Sequence, residues 1–178
     1  MNVAQKSKDY LGAQSSSTSD GYQTVDRFSV LWSGAGSAGS LTQEQSDVSS
    51  GTTPYTLGFR KALKATNGTD GSVAATDYAH LFTKLEAQDI AQSGWNYTDP
   101  NSFITLSFWV KSSVAQNFYG YIKTFDATYT YPFETGALSA NTWTKVTKTI
   151  AGNSNLVFNN DNGLGMSILV NPYLGTNY

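Results

Sequence analysis

Three aromatic residues, Trp109, Tyr119 and Tyr121, lie close in the chain to Ser107 and Lys123. Sugar rings stack their C–H faces on aromatic rings while their hydroxyls bond to Lys, Asn and Ser. If the strands carrying these residues share a sheet, the five side chains form one platform suited to a glycan. The alternative is structural: the same rings would be covered by a neighbouring subunit or by the long segment 87–102.

The residues that could support catalysis are sparse. His80 is the only histidine, and no Gly-x-Ser-x-Gly elbow accompanies it, so it reads as a structural or rim residue. A glycosidase needs two carboxylates flanking a cleft; Glu86, Asp89, Asp126 and Glu134 are available without a recognisable pairing. The run Asn159-Asn160-Asp161-Asn162-Gly163 concentrates oxygen ligands, but it lacks the spacing and distal Glu of a calcium loop and carries one carboxylate. It reads as a turn held by Asn and Asp side chains. A structural calcium ion held by backbone carbonyls is not legible in a sequence, so no cofactor is assigned, and the chain is read as non-enzymatic.

The elements that must position these residues are strands. Ile104, Leu106, Phe108 and Val110 alternate with Thr105, Ser107 and Lys111, the pattern of a half-buried strand over 103–111, with Phe103 and Trp109 on its polar face. Further strands are expected around 28–32, weakly over 41–48, and over 55–65 with Leu57, Phe59 and Leu63 inward. Others follow over 78–86, 117–124, 129–133, 143–150 and 164–170. In 117–124, Phe118 and Ile122 are expected to face the core. About one helical turn fits 86–91, and Trp95 and Tyr97 on the following loop read as a lid over the core edge or part of a contact surface. An ion pair Asp26–Arg27 and a turn at 67–71 complete the local expectations. Residues 171–178 read as loop.

At 178 residues the chain is long enough to bury roughly 70% of its unfolded surface as one domain. Residues 1–21 are a polar arm or linker, leaving 22–178 for the domain. With no Cys, a disulfide framework and a Cys-ligated zinc are excluded. A net charge of −2 without a Lys/Arg run argues against nucleic acid or anionic membrane as partner, and no segment has the apolar length of a spanning helix. Seven or eight short strands without a long helix predict an all-β, antiparallel β-sandwich of jelly-roll type.

Three stretches together carry a resemblance: Met1-Asn2-Val3-Ala4-Gln5 with Gly21-Tyr22-Gln23-Thr24-Val25-Asp26-Arg27-Phe28; the strand 103–111; and Asn141-Thr142-Trp143 with Gly163-Leu164-Gly165-Met166. The chain resembles, over nearly its whole length, the carbohydrate-binding-module-like jelly roll of bacteriophage tail-fibre and other virion proteins. The 103–111 strand is also similar to bacterial glycan-binding modules of galactose-binding-like fold. The resemblance implies a virion or extracellular setting and a homo-oligomer contacting polysaccharide or other virion subunits. It also implies a further strand beyond residue 178. The alternative is a glycan-binding module of a secreted bacterial polysaccharide-degrading enzyme.

Overall fold

A computed structural model describes residues 8–10, 21–22, 25, 27–33, 42–67 and 74–178. The chain is all-β, with antiparallel sheets and two helices of four and five residues among the described residues. It forms two compact units, one of Met1–Thr83 with Val170–Tyr178 and the other of Lys84–Leu169.

The first unit holds β1 (Lys8–Tyr10), β2 (Gly21–Tyr22), β3 (Ser29–Ser33), β4 (Thr42–Asp47), α1 (Thr53–Thr56), β5 (Lys61–Thr66) and most of β6 (Tyr78–Glu86). β1, β4 and β5 pair in that order; β2, β3 and β6 follow one another in a second sheet. The segment expected as an arm, 1–21, thus contributes Lys8–Tyr10 as a strand on β4, and the rest lies outside the described residues apart from Gly21. The expected Asp26–Arg27 pair and most of the 67–71 turn also lie outside them. Opposed charges face each other across β4 and β5: Lys61 meets Asp47, and Lys64 Nζ donates to Glu44 Oε1 at 2.7 Å. Exposed pairs of this kind contribute about 0.2–1 kcal/mol each. A small core forms where buried Val30 and Ala79 meet Leu81 and Tyr173.

The strand expected over 55–65 is corrected at its start. Pro54 in the first turn of α1 fixes a helical φ, and Gly58, at φ +96°, ends the turn in a conformation that suits glycine. Arg60 caps it by donating to the Tyr55 carbonyl at 2.6 Å, its guanidinium 3.9 Å from the Tyr55 ring centre. Leu57 and Phe59, expected inward, are 61% and 49% exposed.

The second unit holds the end of β6, then α2 (Ala87–Ala91), β7 (Phe103–Val110), β8 (Tyr119–Thr124), β9 (Thr130–Glu134), β10 (Thr144–Ala151) and the first part of β11 (Leu164–Leu174). Its strands form a sandwich-like pair of layers: β7 with β10, and β11, β8 and β9 in that order. Ile104, Ile150, Ile122 and Met166, one from each of β7, β10, β8 and β11, line the same interior space, and Phe108 meets Phe133 edge-on at 6.1 Å between ring centres. The even-numbered faces of β7 and β8 therefore look at each other, as alternation predicts for each strand alone.

β11 runs on to Leu174, beyond the expected end at 170 and through Pro172. In the first unit its Asn171, 5% exposed, places Oδ1 2.6 Å from Nδ1 of buried His80, whose ring stacks on Tyr78 at 4.5 Å. Burial lowers the His80 pKa below the ordinary 6.5, while the bond to Asn171 pulls it back up in part.

Candidate functional site

The five residues expected to form one platform are divided between two layers. Ser107 and Trp109 sit on the odd-numbered face of β7, opposite Thr147 and Lys145 of β10. Tyr119, Tyr121 and Lys123 sit on the odd-numbered face of β8, opposite Glu134, Pro132 and Thr130 of β9. Because the even-numbered faces look at each other, these two sets point away from the interior in opposite directions. The condition for a shared platform, one sheet carrying both strands, is not met. Tyr119 is 54% exposed, and the Lys123 ammonium lies 5.2 Å from the Phe125 ring centre.

A concave surface among the described residues lies elsewhere, within the second unit. A cleft of about 320 Å³ opens between the layers, floored by Ile104, Ile122, Ile150 and Met166. Among the described residues the β7–β10 layer has two strands; it covers β9 at Phe133, buried against Phe108, and leaves Tyr131 partly open. Tyr131 pairs with Ile122 and so points to the same side of its sheet, yet it is 40% exposed; Tyr129, whose carbonyl accepts the Thr124 N–H at 2.9 Å, is 41% exposed. Both tyrosines line the mouth. Aromatic rings turned inward but left wet mark a recess able to receive a ring-shaped, half-apolar ligand.

The opposite wall is the loop that the sequence read as a lid or contact surface. Trp95 lines the cleft, packs at 6.2 Å from Tyr97 and 6.3 Å from Phe158, and donates its indole N–H at 3.4 Å to the Ser102 carbonyl. Tyr97 meets Phe158 edge-on at 5.0 Å. With its N–H directed into the loop, Trp95 offers the cleft ring surface. Two backbone bonds clamp this loop to the end of β10: Gly152 N–H to Ser102 O at 2.8 Å and Asn153 N–H to Tyr97 O at 2.8 Å. Gly152 is required there, since a Cβ would stand 2.5 Å from Asp99 O and 2.6 Å from Tyr97 O.

Besides the hydroxyls of Tyr129 and Tyr131, polar side chains at the cleft come from Thr124, Thr130 and Asn153. The Thr124 hydroxyl donates to Ala127 O and accepts the Tyr129 N–H at 3.0 Å, which fixes the β8–β9 turn. Asn153 Oδ1 accepts the Asn155 N–H at 2.9 Å, leaving its NH2 as the donor end.

Three of the four carboxylates considered for catalysis each hold a different partner. Asp126 accepts the backbone N–H and Nδ2 of Asn159 at 3.0 and 2.7 Å, Glu134 accepts Asn117 Nδ2 at 2.6 Å, and Glu86 accepts Gln88 Nε2 at 2.7 Å. In the 159–163 run, Asp161 Oδ1 accepts the Gly163 N–H at 2.9 Å, a side-chain-stabilised turn. The aromatic character of Trp95, Tyr129 and Tyr131 was visible in the sequence; that they meet around one recess was not. No protein-family model, curated protein or solved structure matches the chain.

Proposed function

We propose that this chain is a non-enzymatic, carbohydrate-binding-like jelly-roll domain of galactose-binding-like type, working in a phage virion protein as part of a tail fibre or surface decoration. Its cleft, rather than an outer sheet face, contacts host or environmental polysaccharide. The observation that carries this reading is the pair Tyr129 and Tyr131, turned inward yet about two-fifths exposed at the mouth of a concave apolar recess faced by Trp95. The virion setting is supported by the resemblance in the N-terminal, 103–111, 141–143 and 163–166 stretches. Repeated copies on a fibre would raise the avidity of a weak sugar site by orders of magnitude.

A second reading, assembly against copies of itself or other virion subunits, is favoured by Phe103 and Tyr119, 58% and 54% exposed on outer faces. Tryptophan fluorescence titrated with bacterial-surface and algal polysaccharides separates the two. A saturable change that Tyr131→Ala abolishes while near-UV circular dichroism is retained supports the cleft. No change across the panel, with concentration-dependent oligomers in solution, sinks the glycan reading in favour of assembly.

A further inference from the structure

We infer that the cleft selects an uncharged saccharide, about one or two rings at a time, and rejects uronic-acid and sulfated chains; this rests on the glycan reading above. None of the described residues lining the cleft is charged. Carboxylates and sulfates are recognised through Arg and Lys, whose charge-assisted bonds repay the loss of water. Of the charged side chains on the surrounding strands, Lys123 lies beside Phe125 on the outward face, Asp126 holds Asn159 and Glu134 holds Asn117, while Lys148 shares the Ile150 side of β10 without lining the cleft. An anionic ring entering the cleft would give up water and meet no counter-charge among the described lining residues, a cost that a neutral ring avoids.

The groups that face the ligand suit a neutral polyol. The floor is aliphatic, the walls are aromatic, and the hydrogen-bonding atoms at the rim are hydroxyls and an amide NH2. A volume of about 320 Å³ is at the small end of ligand clefts, about 300–1,000 Å³, which limits the number of rings. The backbone clamp between 97–102 and 152–153 holds the Trp95 wall in place before binding.

The test is an array titration of the full chain against neutral probes (laminarin, galactomannan, mannan and neutral agar oligosaccharides) and acidic ones (alginate and sulfated galactan), each at low and high salt. Binding of a neutral probe with affinity unchanged within about twofold by salt is expected, because no ion pair is there to screen. Acidic probes are expected to bind at least about tenfold more weakly. Tyr131→Phe, which keeps the ring and deletes the hydroxyl, is expected to weaken neutral binding about three- to tenfold. Preferential, salt-weakened binding of alginate or sulfated galactan that Tyr131→Ala abolishes would overturn the selectivity and leave the glycan reading standing. Failure of every probe to bind would overturn both.

Discussion

Ile122 and Tyr131 stand directly opposite one another on β8 and β9 and point to the same side of the sheet, yet Ile122 is 5% exposed and Tyr131 40%. The facing layer reaches β9 at Phe133, 6% exposed against Phe108, but leaves Tyr131, two positions away on the same side, partly in water. The two side chains should therefore respond differently to truncation. Ile122→Ala is expected to cost about 2–5 kcal/mol of stability. Tyr131→Ala is expected to cost at least about 1 kcal/mol less, since much of its ring is already in water. Urea unfolding of the two variants checks this; equal losses would mean that Tyr131 is a core residue.

The loop clamp gives a second expectation. Gly152→Ala places a methyl group against two backbone carbonyls that cannot rotate away, at an expected cost of about 1–3 kcal/mol. The same change displaces the 95–102 wall, so saccharide binding weakens along with stability. A urea midpoint equal to that of the parent would show that the clamp does not hold the loop.

His80 makes stability depend on pH in a defined direction. Its folded pKa lies below the ordinary 6.5, so between the two values the unfolded chain binds more protons than the folded one, and stability rises with pH through that window. The contribution is fully present above about pH 6.5 and is lost as pH falls towards the lower folded value. Melting temperatures measured from pH 5 to 8 for the parent and for His80→Gln test it. The parent should lose stability on acidification more steeply than the variant; parallel profiles would assign the acid sensitivity to other groups.

Much of the fold was legible because alternation is a local signal. The even-numbered apolar residues of β7 and the Phe118–Ile122 side of the β8 segment announced which face is buried, and 86–91 announced its single helical turn, seen as α2. The misreadings also have local causes. Leu57 and Phe59 alternate as a strand would, but Pro54 and Gly58 impose a helical turn that leaves them in water. Residues 171–178 read as loop, whereas β11 continues through Pro172 to Leu174.

The site was less legible because sheet membership is not local. β7 and β8 are consecutive strands, and the sequence between them does not reveal that they enter facing layers. That single fact separates Trp109 and Ser107 from Tyr119, Tyr121 and Lys123. The recess lined by Tyr129, Tyr131 and Trp95 likewise depends on how the two layers meet rather than on any residue's type.

The most direct measurement is isothermal titration calorimetry of a neutral oligosaccharide, taken from the array, into the parent chain, Tyr131→Ala and Trp109→Ala, with all three confirmed folded. Loss of binding in Tyr131→Ala and parent-like affinity in Trp109→Ala is the predicted result. Loss in Trp109→Ala with binding kept in Tyr131→Ala would move the site to the outer face of β7 and contradict the cleft.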